Sequence, residues 1–309
     1  MSDFVALNQP VAVVEAWVKR ARRAVAHYVA LTKPRVIELL LVTTVPAMIL
    51  AAGGVPDLGL VAVVLVGGTL AAGGANTINC WIERDRDQLM RRTRHRPLPS
   101  GVVEPVRALV FGLALEAAAF ALLWGGANLL AAGLALSATV FYVFVYTIWL
   151  KPRTAQNIVI GGAAGAVPVL VGWAAVTGSL AAPALVLFAV VFSWTPAHFW
   201  ALALRYRDDY AAAHIPMLPV VRGPRAAASQ ILAYAALVMV VSLLLPLVAS
   251  TGVVYPVAAS LLGLAFVGQA AQLRRDPSPA RAIAFFSRSN TYLALLFAAV
   301  AVDVLVNVR

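Results

Sequence analysis

Asn79, Glu83 and Asp87 follow one another at intervals of four residues, so a helix through them lines an amide and two carboxylates along one face. Asn76 falls on the same stripe, whereas Asp85 points roughly 240° away from Asn79 and is the weaker candidate. Acids stacked in this way repel one another, and something cationic belongs beside them. Oxygen ligands of this kind suit Mg²⁺, which takes one or two carboxylates and completes its shell with water and substrate phosphates. A solvated helix end, its acids paired to nearby arginines, is equally compatible with these residues alone. Directly downstream, Arg91, Arg92, Arg94 and Arg96 surround His95 and run into Pro97-Leu-Pro-Ser-Gly101. Such a cluster could grip a polyanion such as diphosphate, which arginine holds in a bidentate fork. Positive loops of membrane proteins are also arginine-rich for topological reasons alone, and His95 reads as a solvated loop residue.

Two further groups lie later in the chain. In Trp194-Thr-Pro-Ala-His198-Phe-Trp200, an imidazole falls inside an apolar stretch, and Arg205, Asp208 and Asp209 follow it. On a continuous helix Arg205 and Asp209 return to nearly the face of His198, with Asp208 about 80° away. An ionisable residue within a membrane span is a functional candidate by default, although a neutral, hydrogen-bonded packing histidine costs far less than a charge. In Tyr146-Thr-Ile-Trp-Leu-Lys151-Pro-Arg153, the two cations could complete a clamp from the opposite side, with Tyr146 facing the same cavity. Tyr146 could equally be an aromatic-belt anchor. Glu38, Glu116 and Asp303 also sit within or near apolar stretches, where helix-end or interhelical hydrogen bonds are expected of them.

The elements that must position these groups are membrane spans. Of the 309 residues, 62% are hydrophobic and only 12% charged, against about a quarter charged in soluble domains. Crossing the hydrocarbon core takes about 20 apolar residues, and such stretches fall near 36–53, 59–80, 105–125, 128–149, 157–176, 180–203, 228–249, 253–272 and 290–307. Every Lys and Arg except Arg309 lies in the N-terminal arm or in 84–107, 151–153, 205–225 and 274–288. These are alternate connections of a nine-span chain. The net charge of +11 therefore follows from the positive-inside rule and needs no nucleic-acid partner. The orientation expected is N-terminus in and C-terminus out. The single cysteine, Cys80, excludes an internal disulfide and a cysteine-based metal site. The first residues lack the apolar core of a signal peptide and read as a cytoplasmic, partly amphipathic arm. The two connections richest in mixed charge, 83–104 and 205–226, follow the second and sixth spans. This suggests two four-helix halves plus a ninth helix, with both loops over one cavity.

Together these motifs resemble the UbiA superfamily of intramembrane prenyltransferases, and most closely its haem-directed branch. Asn79, Glu83 and Asp87 match the family's Asn/Asp-rich motif, with Glu83 where Asp is more usual and Cys80 where the second position is commonly Asp. Leu31-Thr-Lys-Pro-Arg35 looks like the start of its first helix, and Arg92-Thr-Arg-His-Arg96-Pro-Leu-Pro-Ser-Gly101 like its first catalytic loop. Thr195-Pro-Ala-His198-Phe-Trp200, Asp209-Tyr-Ala-Ala-Ala-His-Ile215-Pro-Met-Leu-Pro219 and Lys151-Pro-Arg153-Thr-Ala-Gln-Asn157 look like the haem branch. The quinone-directed branch instead places a repeated-Asp motif on its sixth helix, and only Arg205 and Asp209 could answer to it here. The resemblance runs from residue 28 to about 307.

It implies an all-α polytopic membrane protein of nine transmembrane helices around a central cavity, with residues 1–30 an arm and 31–309 a single domain. It also implies a reaction, in which farnesyl diphosphate and haem B give haem O and diphosphate. On that reading Asn79, Glu83, Asp87 and Asp209 hold Mg²⁺ on the diphosphate, and Arg92, Arg96, Lys151 and Arg153 stabilise the leaving group. Tyr146 faces the allylic cation, Arg35, Asn157, Arg205 and Asp208 line the substrate site, and His198 is an axial or orienting partner for haem. The implied partners are farnesyl diphosphate, haem B, membrane lipid and a downstream haem-modifying enzyme, in a bacterial plasma membrane with the active site facing the cytoplasm. Quinone-pathway prenyl transfer is the alternative within the superfamily. A secondary transporter is the alternative from a different class, but it would not gather acids and arginines on one membrane face.

Overall fold

The apolar stretches fold as helices. In the computed structural model, which describes residues 9–307, every regular element among the described residues is helical. They are α1 (Gln9–Thr32), α2 (Pro34–Ala52), α3 (Leu58–Leu89), α4 (Pro105–Gly126), α5 (Leu129–Val140) with a π-helical continuation (Phe141–Leu150), α6 (Asn157–Thr177) and α7 (Ala182–Arg205). The chain continues through the short α8 (Arg207–Ala212) and α9 (Leu218–Val221), then α10 (Gly223–Ser242), α11 (Leu245–Val248), α12 (Val254–Arg275) and α13 (Pro279–Asn307).

Eight of these segments are individually long and apolar enough to span a bilayer, counting α5 with its continuation and α10 with α11. The end of α1 and α2 pass the same test together across a 52° bend, which makes nine when the bent pair counts as one span. The nine expected spans are therefore all helices, and the differences lie at the ends that carry the basic connections. α3 runs on to Leu89 and α13 begins at Pro279, each well beyond its apolar stretch. At 1.5 Å per residue the 32 residues of α3 reach about 48 Å, against about 30 Å of hydrocarbon. Its polar end stands clear of the lipid while remaining helical.

The connections without Lys or Arg are closed by short caps. Asp57 accepts a hydrogen bond from Leu60 N at the start of α3, and Asn128 accepts one from Ala131 N at the start of α5. Asp303 accepts from Gly252 N and Tyr255 N (2.6 and 3.0 Å), tying α13 to the start of α12. Glu116 accepts from Thr139 Oγ1 (3.0 Å) and joins α4 to α5. These two acids do what was expected of them, while Glu38 is exposed on α2. Arg309 lies outside the described residues.

Packing follows two halves. One core cluster gathers α3, α4, α5 and α6, and a larger one gathers α6, α7, α10, α12 and α13. α3 packs most extensively on α4, as α7 does on α10 four spans later, and α2 bridges α6 and α13.

Candidate active site

Because α3 stays helical to Leu89, Asn79, Glu83 and Asp87 do share one face, and all three are at least 96% buried. The loop 91–103 folds back over the Asp87 end of this face. Thr93 Oγ1 donates to Asp87 O, and Leu98 and Val103 pack with Leu31, Cys80 and Ala108. The loop turns at Gly101, whose φ of 73° favours glycine.

Each of the three side chains meets a cation from a different segment. Lys33 Nζ donates to Asn79 Oδ1 (2.7 Å). Lys151 Nζ lies 2.5 Å from Glu83 Oε1 and 2.7 Å from Oε2. Arg96 Nη1 lies 2.8 Å from Asp87 Oδ2. Asn79 Nδ2 donates to Glu83 Oε2 and to Thr147 Oγ1, which fixes its amide with the oxygen toward Lys33. Burial alone would lower the Lys151 pKa, but the Glu83 carboxylate against it outweighs burial and holds it above the ordinary lysine value. Arg96 is likewise raised, with Asp87 overcoming the effect of burial. Both cations are therefore fixed charges at any working pH.

Lys33 is the residue that the motif reading passed over in favour of Arg35. It sits between α1 and α2 with φ 54° and ψ 63°, a left-handed conformation that is strained for a non-glycine residue and doubly so before a proline. α3 holds the strained turn in place. Asn76 Nδ2 donates to Thr32 O (2.9 Å), and Cys80 Sγ is 3.8 Å from Leu31 O. Strain of this kind persists where surrounding contacts over-determine it, as at binding sites. Arg35, two residues on, is exposed.

The fourth span delivers Lys151 through the π-helix. Its i→i+5 bonding brings residues five apart closer to one face, whereas in an α-helix they would be rotated by about 140°. Thr147 Oγ1 accordingly bonds Tyr142 O, and Lys151 N bonds Tyr146 O. Tyr142 and Tyr146 stack at 5.4 Å, and Lys151 Nζ stands 5.7 Å from the Tyr146 ring centroid. The Tyr146 ring lies against bare Gly161 of α6, where any Cβ would collide with it.

The second half closes the site through Arg92. Its backbone N–H donates to Asp209 Oδ2 (3.2 Å) and Nη2 to Tyr210 Oη (3.1 Å), while its guanidinium lies over the rings of Tyr206 and Tyr210. The two charged loops thus meet, as their spacing in the chain suggested. The helix breaks at Tyr206, however, so Asp209 belongs to α8 and does not continue the His198 face. Arg205 and Asp208 are exposed, with Arg205 over the Tyr206 ring. Arg153 does not join the cationic group, since its Nη1 caps the π-helix by bonding Ile148 O and Trp149 O. Asn157 is fully buried at the start of α6, its Nδ2 bonded to Thr154 O and its Oδ1 without a hydrogen-bond partner. His198 is buried within α7.

The oxygens fit a hard divalent cation in part. Glu83 Oε1 is sealed from solvent and makes no hydrogen bond of proper geometry, although Lys151 is beside it. Among the described residues no three His, Cys, Asp or Glu side chains form a ready cage, and Asp209 is turned to Arg92. An expected ligand set that includes Asp209 is therefore not assembled. An amide and two carboxylates on one face match Mg²⁺, which fills its remaining positions with water and phosphate oxygens.

Known proteins share the sequence and the fold. The family model described as the UbiA prenyltransferase family matches residues 40–299. A protein of Salinispora tropica named protoheme IX farnesyltransferase is 54% identical over 289 residues, covering 92% of this chain and 90% of its own. One of Saccharopolyspora erythraea named protoheme IX farnesyltransferase 1 is 56% identical and covers 92% of each. Among solved structures, one of digeranylgeranylglyceryl phosphate synthase superposes with a TM-score of 0.74 at 17% identity, over 91% of this chain and 98% of its own. A UbiA homologue from Archaeoglobus fulgidus bound to GPP and Mg²⁺ superposes with a TM-score of 0.65 at 18% identity, over 89% and 99%. The fold is shared at low identity, and the sequence is shared with proteins named for one acceptor.

Proposed function

The chain belongs to the UbiA prenyltransferase family, and from that premise we propose that it transfers the farnesyl group of farnesyl diphosphate to a vinyl group of haem B, giving haem O and diphosphate. The observation that carries the reading is the buried stripe of α3, in which Asn79, Glu83 and Asp87 each meet a cation from elsewhere in the fold. Acids and basic side chains interleaved in a buried site serve a substrate that brings its own negative charge and leaves as an anion.

Asn79, Glu83 and Asp87 would hold Mg²⁺, with Asp209 reaching it from the second half when substrate is bound. The metal would supply charge neutralisation on the diphosphate oxygens. Lys33, Lys151, Arg96 and Arg92 are placed to stabilise the charge that grows on the leaving group, and their fixed positions save reorganisation at the moment of ionisation. The Tyr146 ring presents its negative π-face to the allylic cation. The haem vinyl carbon attacks C1 of the farnesyl group as the C–O bond to diphosphate breaks. Water then adds to the resulting porphyrin-conjugated cation and releases a proton, leaving the hydroxyl of haem O. The apolar farnesyl tail lies among the spans, which accounts for a site at the membrane face. His198 serves the haem side.

On this reading the multi-pass membrane protein lies in the plasma membrane, N-terminus in and C-terminus out, with the site toward the cytoplasm, as its basic connections favour. Residues 31–309 form one catalytic domain, and 1–30 are its cytoplasmic arm. The test is incubation of the detergent-purified chain with haem B, farnesyl diphosphate and Mg²⁺, followed by mass spectrometry of the extracted haem. A product heavier by a farnesyl group plus water, lost when Mg²⁺ is chelated, supports the reading. Unmodified haem beside a prenylated aromatic acid in a parallel assay would keep the diphosphate site and replace the acceptor.

A further inference from the structure

His198 of α7 is closed on both faces of its ring. Trp194 stacks on one side and Phe286 of α13 on another, each at 4.2 Å between centroids and within 26° of parallel, while Phe199 meets it edge-on at 5.5 Å. Only the edge of the imidazole is left for chemistry. On that edge Nδ1 is 2.7 Å from Ser289 Oγ, and Ser289 Oγ is 2.6 Å from the carbonyl oxygen of Phe286.

These two short contacts decide the tautomer. A hydroxyl has one proton, and a carbonyl can only accept. Two oxygens 2.6 Å apart with no proton between them would repel, so the Ser289 hydroxyl donates to Phe286 O. Its oxygen must then accept from His198, which places the ring proton on Nδ1. Trp194 Nε1 donates to Ser289 O (3.0 Å), so the residue that orients the imidazole is itself held from a second direction. Nε2 is left with its lone pair and has no hydrogen bond among the described residues. A second proton would put a charge among three aromatic rings, which is costly without a partner. That argues against a base, which must become an imidazolium, and for a neutral nitrogen donor. A neutral imidazole whose other N–H is given to a fixed acceptor is the usual form of a histidine metal ligand, and the acceptor sets its orientation and basicity.

We propose that Ser289 is a positioning residue that holds His198 as the Nδ1–H tautomer, so that Nε2 serves as an axial ligand to the iron of the haem acceptor. This rests on the acceptor reading above. Ligation at a fixed nitrogen on a rigid pair of helices would set the height and tilt of the macrocycle, and so which vinyl edge meets the allylic carbon.

The experiment is a titration of haem B into the purified full chain without farnesyl diphosphate, followed by visible absorption and EPR. Wild type is expected to give a histidine-ligated spectrum. His198→Ala should lose it, and added imidazole should restore it. Ser289→Ala should weaken haem binding by about 10–100-fold and change the ligand-field signature, since losing such a support usually costs that much. Ser289→Thr, which keeps the hydroxyl, should return both toward wild type. Melting temperature and Mg²⁺-dependent farnesyl diphosphate binding are recorded for each variant. If Ser289→Ala fails to fold, the Ser289→Thr spectrum and the imidazole rescue of His198→Ala carry the decision. Haem bound with a spectrum indifferent to both positions overturns the inference alone. A wild type that binds farnesyl diphosphate but no haem overturns the acceptor reading and the inference with it.

Discussion

Glu83 and Lys151 are both nearly buried, and each makes the other tolerable where it sits. Removing one member of a buried ion pair leaves an uncompensated charge and costs about 3–5 kcal/mol. Lys151→Met should therefore lower the melting temperature of the detergent-purified protein as well as abolish turnover. Glu83→Gln should abolish turnover too, by releasing a hydrogen-bonding amide where the metal oxygen belongs. Lys33 gives the sharper comparison, because it contacts a neutral amide and lies in a strained turn. Lys33→Met should fold and bind haem but lose roughly 10²–10³-fold in kcat, the usual cost of one fixed electrostatic donor at a developing charge. An unchanged kcat would remove Lys33 from the site. This residue also marks how far the sequence could be read. The spacing of Asn79, Glu83 and Asp87 is visible in one dimension, because helical periodicity alone brings them together. The choice of Lys33 over Arg35 depends on a left-handed φ that no residue type announces, since lysine rarely adopts it.

The π-helical end of the fourth span is the element that turns an apolar helix into part of the site. With α-helical winding, Lys151 would be rotated by about 140° from Tyr146, and no cation would stand on the Tyr146 ring while reaching Glu83. Deleting exposed Phe144 should relax Phe141–Leu150 toward α-helix, carry Lys151 away from Glu83 and cost activity out of proportion to stability. The check is kcat beside the melting temperature, and equal losses in both would mean that the winding has no special role. Gly161→Ala tests the same element from the α6 side, where a methyl group would meet the Tyr146 ring. Overpacking of this kind costs about 1–3 kcal/mol, and the displaced ring should take catalytic efficiency down with it. The ten residues of this segment are aromatic, β-branched, Thr and Leu, equally suited to either winding, which is why the span was legible and its pitch was not. The break at Tyr206 was missed for a related reason. Nothing in Arg205-Tyr-Arg207 interrupts a helix by type, so a single face running from His198 to Asp209 looked continuous.

At the scale of the whole molecule, topology was the most legible feature, because it follows from counting charges. The described connections 90–104, 151–156 and 206–222 lie at one end of the bundle with the acids of α3, and 53–57, 127–128, 178–181 and 249–253 lie at the other. The two-half arrangement was likewise implied by loop spacing. It is realised in the packing of α3 on α4 and α7 on α10, with Arg92 joining the loops of both halves through Asp209 and Tyr210. Charge counting expects the arginine-rich end to face the cytoplasm, and that orientation can be tested directly. The one cysteine, Cys80, is buried, so a Cys80→Ala background allows single cysteines to report accessibility. Ser100→Cys, exposed in the arginine loop, and Thr251→Cys, in the charge-free turn before α12, sit at opposite ends. With a membrane-impermeant maleimide on intact cells, Thr251→Cys should label at once and Ser100→Cys only after permeabilisation. The reverse pattern would put the diphosphate site on the outer face, where cytoplasmic farnesyl diphosphate could not reach it directly. The proposed reaction would then need a separate route for its substrate. Labelling of both positions on intact cells would mean that the span count between them is wrong by one, with the miscounted span lying among α4, α5 with its continuation, α6, α7 and α10 with α11.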